Sequence, residues 1–411
     1  MKVATLDIAG FRNLRCLSLS CSPGLNLILG PNASGKTSVL EALYVLGRGR
    51  SFRTRQPREL IQTGAAAFRI VAMMTGGDGR RIPVGMERDG SALTARIGGL
   101  PTRSLAELAR QTPVLLLNPD SHRLLEDGPQ LRRRFMDWGL FHAEPGFLDV
   151  WRRYTTALRH RNAALRASAV NRVVDAWDGE LATAAAMLDQ LRETFCKALE
   201  GVLQPLSMAT LGKGRVQVDY RRGWPLEPFS RGFAEWLRAG RDQDRRQGHT
   251  RLGPHRADFT LRIAERPLAE ALSRGQQKLL VIALVLAQAE LYRRHAGDPC
   301  ILLVDDLPAE LDAGNRERVM RALAGLDSQM FVTALESGLL DIVRWREPQV
   351  FHLAAGTLGE LPTPVQPAPD SPGPASPAPA SKPVSQVAGP APSDAMSITN
   401  RYFTSLCNIR S

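Results

Sequence analysis

The fold class is decided by one stretch of this 411-residue sequence, Gly30-Pro31-Asn32-Ala33-Ser34-Gly35-Lys36-Thr37, which has the pattern G-x-x-x-x-G-K-[ST]. Residues 25–29 before it are apolar except for Asn26 and predict a strand, and residues 36–46 predict a helix. A strand, this pattern and a helix in succession are the context of a Walker A motif. Backbone N–H groups of such a loop surround the β-phosphate of a nucleotide, and the helix N-terminus adds positive potential. We therefore predict that residues 30–37 bind ATP.

A second segment supplies the other half of a nucleotide site. Residues 301–304 are four consecutive apolar residues that indicate a buried strand, and two aspartates, Asp305 and Asp306, follow. Asp305 is expected to hold Mg²⁺ through water, together with Thr37, while Asp306 orients or deprotonates the attacking water. Lys36 is expected to reach the β- and γ-phosphates. We therefore predict Lys36, Asp305 and Asp306 as the catalytic residues and Thr37 and Asp305 as the magnesium ligands.

A third motif indicates the class of ATPase. Leu272-Ser273-Arg274-Gly275-Gln276-Gln277 resembles the ABC signature L-S-G-G-Q, with Arg274 in place of the first glycine. At the start of a helix, Ser273 and the N–H of Gly275 form an anion site, and in ABC enzymes this site binds the γ-phosphate held by the other subunit. The alternative is a capped helix, since serine is a good N-cap. The order and spacing of the motifs favour the signature, which adds Ser273, Gly275 and Gln276 to the ATP-binding residues.

The remaining ABC elements are less complete. Ala309-Glu310-Leu311-Asp312 resembles the D-loop, which crosses the dimer interface in ABC enzymes. ATP in that architecture lies between two heads, so its binding should drive homodimerisation and its hydrolysis should release the dimer. Asn118-Pro119-Asp120 is the candidate for the Q-loop. Residues 331–336 lack a histidine, which leaves the γ-phosphate sensor unassigned.

Composition points to an anionic partner and away from a membrane. Lys and Arg number 53 against 41 Asp and Glu, which gives a net charge of +12, and nucleic acid is the commonest partner of so basic a protein. The longest apolar run, residues 279–287, is far shorter than the roughly 20 residues of a membrane-spanning helix. The N-terminus lacks the apolar centre of a signal peptide, so we expect a cytoplasmic location. The five cysteines have no zinc-site spacing.

The spacing of the motifs predicts an interrupted head. Lys36 and Asp305 are 269 positions apart, far more than a compact ATPase core needs, and much of residues 128–249 carries apolar residues at helical spacing. A strand pair is expected near residues 216–220. Residues 362–392 hold 11 of the 28 prolines, which indicates disorder. We predict that residues 1–127 form the N-terminal part of the head and residues 128–249 a mainly helical arm. Residues 250–361 are expected to form the C-terminal part of the head, and residues 362–411 a Pro/Ala-rich tail.

Several further motifs resemble the RecF family, in the SMC-like branch of the ABC ATPases. They are Gly10-Phe11-Arg12-Asn13, the Walker A stretch, and residues 49–54, 132–139, 161–165 and 253–258, so the resemblance covers about residues 1–361. It implies an α/β fold: an ABC-type ATPase head with a mixed sheet and P-loop, an inserted helical arm like lobe II of SMC-like proteins, and a disordered C-terminal tail. The analogous arginine in SMC-like heads reaches the phosphates, which makes Arg12 a candidate nucleotide contact.

The resemblance also implies a function. RecF proteins are ATP-dependent DNA-binding proteins with weak, DNA-stimulated ATPase activity. They act with RecR and RecO to load RecA at single-strand gaps, in DNA repair, replication and the SOS response. Their DNA preference is for duplex and for junctions of duplex with single strand, without sequence specificity. The resemblance thus implies ATP and Mg²⁺ as cofactors, an ATP-dependent homodimer and a nucleoid-associated location in the cytoplasm.

A run of arginines is the candidate DNA contact. Arg48, Arg50, Arg53, Arg55 and Arg58 lie within eleven residues without an acid among them, and on one face they would form a phosphate-binding stripe. We predict Arg50, Arg53 and Arg55 as DNA contacts. The alternative for any single arginine is a solvated surface residue, and one of this group could instead touch the nucleotide. Further candidates are Arg132–Arg134 and Arg152–Arg153, whereas His255 and Arg256 are expected to be structural or to lie near DNA.

Four alternative functions fit part of this pattern. An ABC ATPase of a transporter would explain neither the Gly-Phe-Arg-Asn start nor the long arm. A nuclease of the overcoming-lysogeny type would need a metal-binding carboxylate domain after residue 361, where the chain is rich in proline. An SMC-like ATPase of another DNA-maintenance system remains an alternative. In the fourth alternative, ATP serves only as a dimerisation switch and is not hydrolysed. The intact Lys36, Ser273 and Asp305 argue against this alternative.

Overall fold

A computed structural model describes residues 1–102, 104–212, 215–225, 232–263, 266–306, 311–336, 345 and 347–359. The tail predicted at residues 362–411 lies outside this part. The strands are β1 Lys2–Phe11, β2 Leu14–Ser20, β3 Leu25–Leu29, β4 Ala67–Thr75, β5 Arg81–Asp89, β6 Leu93–Ile97, β7 Leu100–Thr102, β8 Val114–Leu117, β9 Val216–Arg221, β10 Asp258–Ile263, β11 Arg266–Pro267, β12 Ile301–Val304, β13 Gln329–Ala334, β14 Gln349–Ala354 and β15 Thr357–Leu358. The helices are α1 Lys36–Arg48, α2 Leu105–Gln111, α3 Arg123–Glu126, α4 Pro129–Ala143, α5 Phe147–Arg166, α6 Asn171–Leu211, α7 Phe233–Ala239, α8 Arg241–Gln247, α9 Leu268–Ala271, α10 Arg274–Ala296 and α11 Ala313–Ala324.

Two six-stranded sheets enclose α1. One is antiparallel, in the order β2-β1-β4-β5-β6-β7, and the other has the order β15-β14-β3-β13-β12-β8, with parallel pairing from β14 to β8. A core between them combines apolar residues of β1 and β4, of α1, and of one face of the parallel sheet, such as Ile28 and Leu303. The other face, with Leu27 and Leu302, packs in a second core with α6 and α10. The central parallel strands β3, β13 and β12 are therefore buried on both faces, as their mostly apolar sequences predict.

The parallel register brings separate motifs to one edge of the sheet. Leu29 pairs with Ala334, and Val304 pairs with both Val332 and Leu117, so β3, β13, β12 and β8 end side by side. Ligands of open α/β sheets bind at this carboxyl edge. The Walker A stretch, residues 305–306 and Asn118 all follow these strand ends.

The segment between the two head parts is mainly helical, as expected. The 41-residue α6 packs against α5, α4 and α10. Gly139 on α4 permits a close approach to α6, because a Cβ there would lie 2.3 Å from the ring of Phe195. The predicted strand pair near residues 216–220 is wrong: only β9 lies there, and it pairs with β10, whose sequence follows two further helices. The domain boundaries themselves stay a prediction.

A buried guanidinium holds the helical segment together. Arg161 on α5 is fully buried, and it donates to Asp178 at 2.5 Å and to Asp244 and Thr250 at 2.8 Å. Asn162 beside it accepts from the backbone and hydroxyl of the same threonine. This network connects α5 to α6 and α8. It gives Arg161 and Asn162, the first two residues of the motif at residues 161–165, a structural role.

We predict that Arg161→Leu lowers the free energy of unfolding by about 3 kcal/mol, because Asp178 and Asp244 each lose a buried partner and keep only Arg241 and Arg251 among the described residues. Chemical denaturation measures this change. Arg159→Leu is the matched control, since Arg159 lies exposed on the same helix and its loss should cost less than about 0.5 kcal/mol. Equal destabilisation by the two variants would contradict the role of the network.

Candidate functional site

The Walker A stretch forms the loop between β3 and α1. Gly30 has φ 151°, and a Cβ there would lie 2.2 Å from the carbonyl oxygen of Leu353 on β14. Two flanking segments fix the loop: the Asn13 side chain donates to the carbonyl of Ala33 at 3.0 Å, and the N–H of Gly356 donates to the carbonyl of Ser34 at 2.9 Å. The β1–β2 turn and the β14–β15 hairpin therefore support the loop from opposite ends of the sequence.

Lys36 lies against its own loop. Its Nζ donates to the carbonyls of Gly30 at 2.8 Å and Pro31 at 3.0 Å, and its side chain is buried. Ser34 Oγ is buried too, and it has no hydrogen-bond partner among the described residues. An unsatisfied buried hydroxyl is costly, so the loop holds a polar group that is ready to bind a ligand.

The two predicted halves of the nucleotide site are in direct contact. Thr37 Oγ1 donates to Asp305 Oδ1 at 3.0 Å, across 268 positions of sequence. Asp305 is 7% exposed, and burial raises the pKa of its carboxyl above the ordinary value, while hydrogen bonds from Thr333 and Thr37 act in the opposite direction. A buried carboxylate beside a threonine hydroxyl has the chemistry of a Mg²⁺ site, since oxygen ligands suit this cation.

Thr333 is the residue that sequence reasoning missed. It is fully buried at the end of β13, and its Oγ1 donates to Asp305 Oδ1 at 2.8 Å and accepts from the N–H of Asp306 at 2.9 Å. Asp306 has φ 50°, in the left-handed region, and its buried Oδ1 has no partner among the described residues. Thr333 thus fixes both Asp305 and Asp306 from β13, the strand in which the sequence has no histidine to act as a γ-phosphate sensor.

Arg12 lies on the β1–β2 turn and binds a carboxylate of α1. Its guanidinium donates to both oxygens of Glu41, at 2.7 and 2.9 Å. Glu41 is fully buried and also accepts from Ser51 and from Arg53, the latter at 3.3 Å. The sequence did not single out Glu41, because a lone acid in an apolar helix has no pattern. Glu41 therefore fixes the positions of Arg12 and Arg53, which lie on separate loops.

The signature residues begin α10, as predicted. Ser273 and Gln276 form a reciprocal cap, in which the serine hydroxyl accepts from the Gln276 N–H at 3.4 Å and the Gln276 side chain accepts from the Ser273 N–H at 3.1 Å. Ser273 and Gly275 are exposed. The capped-helix interpretation is therefore correct as a local description, and the phosphate-binding role stays a prediction. Of the D-loop residues, Ala309 and Glu310 lie outside the described part.

The candidate DNA arginines do not form a flat stripe. Arg50, Arg53 and Arg55 line a cavity of about 730 Å³ together with Arg134. Two other candidates are engaged: Arg132 donates to Asp258 at 2.7 Å, and Arg133 donates to a backbone carbonyl. Ion pairs also hold Arg152 to Asp149 and Arg153 to Glu180.

His255 is structural in its contacts. Its Nδ1 lies 2.6 Å from the hydroxyl of Tyr154, and burial lowers its pKa to about 4. Across the described residues, no group of three or more acids, histidines or cysteines is placed to hold a metal ion by itself. In the same part of the chain, no helix is long and apolar enough to cross a membrane.

Comparisons with known proteins fit this site. The sequence matches the family model of the RecF/RecN/SMC N terminal domain over residues 2–351. The DNA replication and repair protein RecF of Thioalkalivibrio sulfidiphilus is 43% identical over 355 residues, which cover 86% of this chain and 98% of that protein. RecF of Hydrogenovibrio crunogenus is 39% identical over 361 residues, which cover 87% and 99%. The chain belongs to the RecF family.

Solved structures confirm the fold class. The structure of the recombination mediator protein RecF-ATP in the RecFOR pathway matches with a TM-score of 0.78 at 22% identity, over 88% of this chain and 97% of that one. An Smc head bound to the C-winged helix domain of ScpA matches with a TM-score of 0.55 at 16% identity, over 87% and 96%. This RecF-family chain therefore has the ABC-type ATPase head fold that SMC heads share.

We predict that Thr333→Val slows ATP hydrolysis roughly tenfold, because the Asp306 N–H and the Asp305 carboxylate each lose a buried hydrogen bond. Thr333→Ser keeps the hydroxyl and should keep most of the rate. Steady-state ATPase assays measure kcat, and thermal unfolding shows whether each variant is folded. A folded Thr333→Val protein that hydrolyses ATP at the wild-type rate would contradict this role.

Proposed function

We propose that this chain is an ATP-dependent, DNA-binding recombination mediator. ATP binding drives two heads together on duplex or gapped DNA, and slow, DNA-stimulated hydrolysis releases them. In this state the protein helps RecO and RecR proteins to load RecA at single-strand gaps, in DNA repair, replication and the SOS response. It acts in the cytoplasm, on the nucleoid. The observation that carries the proposal is the contact of Thr37 with Asp305, which joins Walker A and Walker B in one site.

The residues present fit ATP and Mg²⁺. Among the described residues, Ser34 Oγ and Asp306 Oδ1 are buried without hydrogen-bond partners. A side chain at Gly30 would collide with β14, so glycine is required at the start of the loop. Thr37 and Asp305 would hold the cation, which neutralises charge on the phosphates when bound. These are the donors and acceptors that such a ligand needs.

The protein side of the mechanism follows from these positions. Lys36 exchanges its two loop carbonyls for phosphate oxygens, since its ammonium gains a stronger, charged acceptor there. Asp306 accepts the proton of the attacking water or orients that water, and Thr333 keeps its backbone in place. Ser273 and Gly275 of a second copy complete the site at the γ-phosphate. Because the second copy supplies these donors to the γ-phosphate, hydrolysis depends on dimerisation.

The nearest competing proposal is an ATP-driven switch without hydrolysis. The left-handed φ of Asp306 favours hydrolysis, because such strain persists where the surrounding structure enforces it for function, and its buried Oδ1 has no hydrogen-bond partner in the described part of the chain. Family membership argues against the transporter and nuclease alternatives. An SMC-like ATPase of another DNA-maintenance system receives less support than RecF, given the full-length relatives.

We predict that Lys36→Ala loses both ATP binding and hydrolysis, whereas Asp306→Asn binds ATP and hydrolyses it at least tenfold more slowly. Equilibrium binding of a fluorescent ATP analogue and steady-state ATPase assays separate these two steps. Hydrolysis by Asp306→Asn at the wild-type rate would assign the proton acceptor to another residue. ATP binding by wild type without any hydrolysis would favour the switch alternative.

We predict that Arg50 and Arg55, which line the cavity and are exposed, contact backbone phosphates of a duplex that lies outside it. Arg50→Gln with Arg55→Gln should weaken ATP-dependent binding of duplex DNA and lower the salt dependence of log Kd by about two, one for each lost phosphate contact. Fluorescence anisotropy over a salt series measures both quantities. Arg80→Gln with Arg81→Gln is the charge-matched control, since both arginines lie exposed at the β4–β5 turn. An identical effect of the two pairs would show only a general charge effect.

A further inference from the structure

The arginine cavity has a charged side, with Arg50, Arg55 and Arg134, and an aromatic side, with Tyr44 and Phe52. It lies between α1, the loop after α1, the end of β8, α4 and α10, and its volume is about 730 Å³. Small-molecule sites typically occupy about 300–1,000 Å³. A base-paired duplex cannot enter such a space, whereas a single nucleotide can.

The lining is strongly positive, because seven arginines and one acid, Asp120, line the cavity among the described residues. Burial lowers the pKa of Arg134, and the charges of Arg50 and Arg55 lower it further. In the part of the chain described, none of these three guanidinium groups has a carboxylate within ion-pair distance. Deeper in the cavity, the Nε atoms of Arg48 and Arg88 are buried and lack hydrogen-bond partners among described residues. Like charges held together in this way are stabilised by a bound anion, and phosphate is the anion that arginine matches best.

The aromatic side of the cavity, formed by Tyr44 and Phe52, suits a planar apolar group. Tyr44 and Phe52 are half-buried in the cavity wall, and their rings meet edge to face at 5.2 Å. The Arg48 guanidinium lies over the Tyr44 ring at 5.7 Å. Aromatic rings and arginine planes are the surfaces on which unpaired bases stack.

We propose that this cavity binds one nucleotide whose base is unpaired. Its phosphate lies on Arg50, Arg55 and Arg134, and its base lies against Phe52 and Tyr44. The nucleotide is supplied by a single-stranded segment next to duplex DNA or by a free nucleotide. The inference rests on the proposed DNA-binding function, and it gives that function a structural means to distinguish a duplex with an unpaired segment from a blunt one.

The test compares three DNAs on the full-length protein with a non-hydrolysable ATP analogue. They are a blunt duplex, the same duplex with a single-stranded thymidine overhang, and the same overhang with abasic sites in place of the bases. We expect the thymidine overhang to bind about 5- to 10-fold more tightly than the blunt duplex, as one stacked base can supply. The abasic overhang should lose most of this gain. Overhangs of both polarities are used.

Variants locate the effect in the cavity. Phe52→Leu keeps an apolar side chain but removes the stacking surface, so the thymidine and abasic overhangs should bind alike. Arg134→Gln should reduce the overhang gain too. Arg159→Gln, at an exposed position outside the cavity, is the charge-matched control and should keep the gain. Thermal unfolding verifies that each variant is folded.

The outcomes separate the two proposals. If wild type binds no DNA, the proposed function fails. If it binds duplex but gains equally from thymidine and abasic overhangs, or if Phe52→Leu keeps the wild-type gain, the cavity inference is wrong and the proposed function stands. Competition with dTMP identifies the source: loss of the overhang gain shows that a free nucleotide enters the cavity, and a retained gain shows that the ligand is the DNA strand.

Discussion

The hydrogen bond from Thr37 to Asp305 is the contact on which the rest of the site depends. It joins residues 268 positions apart, and it forms because β3, β13 and β12 lie side by side in parallel with their carboxyl ends at one edge. β8 belongs to the same sheet, so the helical segment that follows β8 must leave the sheet and return to it at β12. Thr333 reinforces the contact from the strand between them. The inserted helices are therefore a consequence of closing this one site.

The helical segment is connected to the head by packing and charge together. Gly139 lets α4 approach the ring of Phe195, and residues of α6 and α10 share a core with one face of the parallel sheet. The Arg161 network then fixes α5 on α6 and α8. Since α10 begins at the signature residue Ser273, the position of the signature is coupled mechanically to the helical segment.

Local patterns predicted much of this arrangement. The Walker A loop, α1, β12 and the start of α10 lie within a few residues of their expected positions, because glycine placement, apolar runs and helix caps act over short distances. What the sequence could not predict depends on contacts between distant segments. The partner of β9 is β10, Thr333 is a common residue in an ordinary strand, and Glu41 gains its role only when two loops meet over it. The arginines form a cavity rather than a stripe because α4 supplies Arg134 from 79 positions beyond Arg55.

The central claim is that ATP joins two heads through the signature serine. Light scattering of the purified protein with and without Mg²⁺-ATP and duplex DNA tests it directly, with Ser273→Arg as the comparison, because an arginine at this exposed cap blocks the site for the partner's γ-phosphate. We expect ATP to double the mass of wild type and to leave Ser273→Arg monomeric, with DNA binding following the same dependence. A wild-type protein that stays monomeric and binds DNA regardless of ATP would contradict it.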